Sequence, residues 1–263
     1  MGLLATIWAL LWPRKTKPVV AATKSAVSAT KPEGLKEIEA ALEALEGTNR
    51  FMEYLKTPEQ HKQAAAPAPA PAHANSVPLC ALVVGHSFRD GGAVSHDGRV
   101  SEYEFNMPLA QMIAAKVPAS RCRVMVMTRQ TVLPALVEDL NRIAPDFAIE
   151  LHCNAADGHA SGTEMLYGDL RPKAEVMARI IQRHVVAALK LPDRGVKARK
   201  RAERGGYLLH TVNAPAVIAE SFFIDNPQDL ARARDATELA KAYAQAITSI
   251  AMAVLTREEG PEQ

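Results

Sequence analysis

Two apolar runs constrain this chain more than anything else in it, because each delivers a histidine where it stops. Ala81-Leu82-Val83-Val84 leads through Gly85 to His86, and Asp146-Phe147-Ala148-Ile149-Glu150-Leu151 leads to His152. Short apolar runs closed by glycine or polar residues read as buried strands. In open α/β sheets, chemistry gathers at the carboxyl ends of strands, which is where both imidazoles fall. A single histidine at a strand end is more often an ordinary polar residue. Two strands that end alike can point both rings into one crevice, and two imidazoles plus a carboxylate suit zinc with a fourth position open to water.

The remaining chain alternates in the same way. Arg123–Met127, Gly162–Tyr167, Tyr207-Leu208-Leu209 and Ala216–Ala219 read as further strands. Between them, apolar residues recur every three or four positions. Leu109, Met112 and Ile113 follow Phe105; Leu136, Leu140 and Ile143 share a face; Met177, Ile181, Val185 and Ala188 line another helix. A last helix over 228–255 turns Leu239, Tyr243, Ile247, Ile250 and Val254 inward. Strands alternating with helices predict an α/β fold with a mostly parallel sheet covered on both faces.

Upstream the character changes. Residues 64–74 form a proline–alanine tract, a semi-stiff extended spacer and the clearest boundary in the sequence. The organisation expected is an accessory segment over 1–63, a Pro/Ala linker over 64–76 and a catalytic domain over 77–263. Within the first segment, Leu35, Ile38, Leu42 and Leu45 oppose Glu37, Glu39, Glu43 and Glu46, an amphipathic helix without chemistry of its own. Residues 2–12 are almost wholly apolar, with Arg14, Lys15 and Lys17 behind them. That run is shorter than the roughly 20 residues of a membrane-spanning helix and lacks the marks of a clean secretory signal. It admits a weak membrane association or a helix packed on protein.

Charge narrows the partners. The net charge is +2, carried by residues 1–79, whereas 80–263 hold 22 basic and 22 acidic side chains. A nucleic-acid domain with a broad basic face is therefore not expected. Lys197-Ala198-Arg199-Lys200-Arg201 is locally cationic; such a run is usually a solvated loop, but in a cleft it holds an anionic polymer or peptide carboxylates. Cys80, Cys122 and Cys153 are odd in number and have no CxxC spacing, so buried free thiols are expected. Cys153 reads as a pocket-lining residue beside His152.

Carboxylates for the two histidines come from Glu102 or Glu104, at the start of a helical stretch, and from Glu220, which follows a buried strand. Glu102 and Glu104 have an ordinary alternative role favouring a helix N-terminus. Glu220 has one as an ion-pair partner.

Taken in order, Gly85-His86, Asp90-Gly91-Gly92-Ala93, Glu102-x-x-x-Asn106, Thr128-Arg129, His152-x-Asn154-Ala155, Gly162-Thr163-Glu164, Pro215-Ala216-Val217, Glu220-x-x-Phe223 and Asn226 resemble the zinc-dependent N-acetylmuramoyl-L-alanine amidases. The closer likeness is to the amidase 3 group of bacterial cell-wall hydrolases and phage endolysins, over residues from about 77 to the end of the last helix. The resemblance implies a twisted six-stranded sheet flanked by helices, one zinc ion held by His86, Glu102 and His152, and Glu220 as catalytic glutamate. Glu102 is preferred to Glu104 because it stands four residues before Asn106. Peptidoglycan is the implied partner and the muramoyl–L-alanine amide the implied bond, with Asn154, Arg129 and Lys197 as candidate substrate contacts.

The sequence departs from the family at Ser87-Phe88, Cys153 and Ser221-Phe222, which alters the pocket but removes no ligand. A peptidoglycan-binding module without activity, or a zinc peptidase acting on stem peptides, is the alternative. Action on the cell wall, in the periplasm or outside the cell, is expected either for a phage lysin released at lysis or for a bacterial autolysin.

Overall fold

The computed structural model describes residues 77–129 and 132–255. The expectations for residues 1–76, including the apolar run, the amphipathic helix and the linker, lie outside these residues. Among the described residues, no helix is long and apolar enough to cross a membrane.

Six strands form one sheet: β1 (Leu79–Val84), β2 (Arg123–Thr128), β3 (Phe147–Asn154), β4 (Thr163–Gly168), β5 (Asp193–Arg199) and β6 (Ala216–Phe223). Their order across the sheet is β2-β1-β3-β6-β4-β5. The first four in that order are mutually parallel; β4 runs antiparallel to β6 and parallel to β5. The helices are α1 (Glu102–Lys116), α2 (Leu133–Ile143), α3 (Pro172–Leu189), α4 (Gly206–Thr211), α5 (Pro227–Ala233) and α6 (Ala236–Leu255).

β1 is apolar along its whole length because it is buried on both faces, as expected of a strand inside a parallel sheet. On one face α1, α3 and α6 pack over Leu82, Ile149, Leu151 and Val217, and α6 presents Leu239, Tyr243, Ile247 and Ile250 to that core. On the other face, α2 and α4 bring Leu136, Val137, Leu140, Leu208, Leu209 and Val212 against Val83, Ala148, Leu166 and Ile218. Side chains two apart on a strand share a face. The same face therefore continues from Ala148 to Glu150 and His152, and from Ile218 to Glu220. Its apolar half is covered by helices, and its polar half carries the site.

Three expectations are corrected. Tyr207-Leu208-Leu209 lies in the short helix α4, not in a strand. An apolar run of three residues carries no period that distinguishes the two, and the turn is set by Gly205 at φ 81°. The sixth strand is β5, whose first half lies just before the cationic run and whose end includes Lys197-Ala198-Arg199. As an edge strand it is paired on one side only, which suits charged side chains. The last helical stretch is two helices: Asn226 caps α5 by accepting from the backbone of Gln228 and Asp229, and α6 starts anew at Ala236. All three cysteines are free and buried.

Candidate metal centre and active site

His86 stands one residue beyond Gly85, whose N–H still bonds Leu151 O at 2.9 Å. At His86 the backbone turns sharply, with φ 64°. This sends the ring back over the end of the sheet, where its centroid lies 5.1 Å from that of His152 at an interplanar angle of 73°.

Between the rings lies Glu102, the first residue of α1 and only 2% exposed. Its Oε1 is 2.7 Å from His152 Nδ1 and accepts from Cys153 N–H at 2.9 Å. Its Oε2 is 3.4 Å from His86 Nε2 and accepts from Ala93 N–H at 3.1 Å. Burial opposes the charge on Glu102, but the hydrogen bond and charge of His152 outweigh it and hold the carboxyl below its usual range.

Glu104 is occupied elsewhere. Ser101 accepts from Glu104 N–H, and Glu104 Oε2 accepts from Ser101 N–H at 2.9 Å. That reciprocal pair is a capping box, so the helix start spends one acid on its own end and offers the other to the histidines.

His86, Glu102 and His152 each offer a ligand atom, and those atoms lie within 4.8 Å of one another. Two glycines make the cradle. A Cβ on Gly92 would come within 2.5 Å of His86 Cδ2 and 2.7 Å of Glu102 Oε2, and one on Gly85 within 2.5 Å of His152 Nε2. Two imidazoles and one carboxylate, converging with backbone donors on the carboxylate, are a donor set suited to a divalent metal.

Glu220 sits on β6 beside His152 on β3, and across from Glu164 on β4. Its Oε2 is buried without a hydrogen-bond partner. Burial pushes this carboxyl up to about 7; His152 works against that shift and Glu102 adds to it. A carboxylate that neither caps a helix nor closes an ion pair, and that titrates near neutrality, is equipped to take and return a proton.

The candidate substrate contacts are placed less uniformly. Arg129 follows β2, and its Nη2 reaches Asp90 Oδ2 at 3.3 Å, the oxygen that lies 3.5 Å from His86 Nδ1. Lys197 Nζ is 2.7 Å from Glu164 Oε2, an oxygen that Arg194 Nε shares at 2.6 Å. Asn154 ends β3, with its Oδ1 accepting from the N–H of Ala155. Cys153 does not line the pocket as expected: it alternates to the opposite face from His152, where its Sγ lies 3.7 Å from Asn106 Nδ2.

Glu150 and Asp90 are two of the acids at this site to which the sequence assigns no role. Glu150 lies within an apolar strand, yet its place two residues before His152 is signal enough to put it on the same face. Asp90 stands within the matched pattern, which gives it no role of its own.

The sheet and its strand-end donors define an α/β protein with a candidate metal-hydrolase centre, and comparison with known proteins narrows that class. Residues 80–249 match the family model described as N-acetylmuramoyl-L-alanine amidase, Amidase_3. The chain belongs to this family. It is 29% identical over 169 residues to the N-acetylmuramoyl-L-alanine amidase LytC of Bacillus subtilis, covering 62% of this chain and 32% of LytC. It thus spans about a third of that relative's length. The catalytic domain of the CD27L endolysin targeting Clostridia Difficile is similar in structure, with a TM-score of 0.57 and 26% identity over 65% of this chain and 97% of that domain. An N-acetylmuramoyl-L-alanine amidase from Clostridium difficile 630 shares the fold, with a TM-score of 0.60 and 20% identity over 71% of this chain and all of the other.

Proposed function

We propose that this protein is a peptidoglycan hydrolase that cleaves the amide between N-acetylmuramic acid and the L-alanine of the stem peptide, with zinc held by His86, Glu102 and His152. The observation that carries the reading is the position of Glu220: a partnerless buried carboxylate oxygen on the strand beside a His–Glu–His group.

When bound to those three residues, zinc supplies Lewis acidity, lowering the pKa of a water to about 7 and polarising the amide carbonyl. The other steps belong to the chain. Glu102 and the two histidines fix where the reacting atoms meet. Glu220 accepts the proton from the attacking water and returns it to the nitrogen of L-alanine as the carbon–nitrogen bond breaks. Arg129, Asn154 and Lys197 are assigned to substrate binding. Residues 77–263 form the catalytic domain in this reading, joined through 64–76 to an accessory segment over 1–63. Action is on the cell wall, in the periplasm or outside the cell.

Mass spectrometry of peptidoglycan digested by the wild type and by Glu220→Gln tests the reading. The wild type should free the lactyl carboxyl of muramic acid and the amine of L-alanine. Glu220→Gln should keep zinc and lose roughly 10²–10⁴-fold in turnover, the range for removal of a general base. Shortened stem peptides from the wild type, or undiminished turnover in the variant, would overturn it.

A further inference from the structure

We infer that Glu150 is a positioning residue for the metal centre: in the zinc-loaded protein its carboxylate accepts Nε2–H of His152, leaving Nδ1, which bonds Glu102 in the metal-free protein, as the nitrogen that faces the metal. The inference rests on the zinc site proposed above.

A neutral imidazole has one N–H, and the acceptor nearby decides which nitrogen carries it. On the Nδ1 side of His152 stands Glu102 at 2.7 Å, already placed among the candidate ligands. On the Nε2 side stands Glu150 Oε2 at 3.4 Å. The two acids thus bracket one ring, and only one of them belongs to the group that gathers around His86.

Glu150 needs this partner. It is 5% exposed and is flanked in sequence by Ile149 and Leu151, both 0% exposed. A buried carboxylate is costly unless paired, and among the described residues the ion-pair partner of Glu150 is His152. Its place two residues earlier on β3 aims it along the same face, so no loop movement is needed to bring the two together. Gly85 completes the seat, since any Cβ there would lie 2.5 Å from both Cε1 and Nε2 of the ring. His86 has a weaker counterpart in Asp90, at 3.5 Å from Nδ1 and with a side chain 67% exposed. Orientation by a shielded carboxylate is therefore concentrated on His152.

The test is zinc affinity of the full chain, measured by competition with a chromophoric chelator, for wild type, Glu150→Ala and Glu150→Gln. Loss of an outer-shell partner costs about 10–100-fold in metal affinity, and Glu150→Ala should fall in that range. Glu150→Gln keeps an oxygen that accepts from Nε2–H and should recover most of the loss. Nitrogen-15 correlation spectra of the zinc-loaded wild type should show His152 protonated at Nε2, a readout independent of whether the alanine variant folds. Unchanged affinity in Glu150→Ala, a glutamine variant as weak as the alanine one, or protonation at Nδ1 would each overturn the inference. A wild type that binds zinc yet cuts no peptidoglycan would defeat the proposed reaction and leave this inference standing; one that binds no zinc would defeat both.

Discussion

Glu102 and His152 meet at 2.7 Å although 50 residues separate them in the chain. The contact joins the start of α1 to the end of β3, so a helix terminus and a strand terminus are fixed by the same carboxylate. Its second oxygen faces His86 at 3.4 Å, which makes Glu102 the hinge of the candidate ligand group.

Substitutions in this group should remove metal and activity together. His86→Ala, His152→Ala and Glu102→Ala are each expected to weaken zinc binding by more than the roughly 10–100-fold that an outer-shell change costs. Metal content after dialysis, read beside amidase activity, checks this. A variant that keeps full zinc while losing activity would place that residue outside the ligand set.

Glu104 provides the contrasting case, because it lies two residues from Glu102 and serves the helix end. Ser101→Ala and Glu104→Ala should each cost about 1 kcal/mol of stability, the usual worth of a cap, and should leave zinc affinity near wild type. Denaturant midpoints and chelator competition on the same samples separate the two acids.

The pattern Ser101-x-x-Glu104 is a capping-box signature legible in the amino-acid order alone, so the choice between Glu102 and Glu104 has a local signal besides the distance to Asn106. The central strands are legible as well, since β1 is apolar on both faces throughout and β3 and β6 are so over their first three or four residues. β5 is not, because an edge strand tolerates Arg194, Lys197 and Arg199 and so loses the apolar pattern. α4 is not, because six residues hold too little of a helical period. Glu150 escapes notice for a different reason. Its carboxylate is stabilised by a ring that only folding brings within 3.4 Å, and inside an apolar run it looks like part of the strand.

Gly92 tests the cradle without replacing a ligand. Its φ of 76° disfavours any side chain, and an added Cβ would press on His86 and Glu102 at once. Gly92→Ala should therefore lower both stability and zinc affinity. Gly98, also at positive φ but with nothing within 4 Å of an added Cβ, is the control. Gly98→Ala should cost stability alone. Equal zinc affinity in the two variants would show that the space beside Gly92 is not limiting.

Glu220 makes a prediction about pH in the metal-free protein. Its carboxyl is raised from 4.5 to about 7 by burial, so the folded state binds a proton that the unfolded chain releases. Stability from this group is fully present below the unfolded value and declines as pH rises through the folded one. Glu220→Gln removes the ionisation while keeping the shape. The variant should be more stable than wild type at pH 8 by an amount of order 1–3 kcal/mol, since each tenfold change in proton affinity is worth about 1.4 kcal/mol, and the gap should close near pH 4. Urea midpoints at the two pH values, with chelator present, measure it. If wild type and variant keep the same difference at both, Glu220 titrates like an ordinary surface carboxylate, and a base poised near neutrality is lost from the proposed reaction.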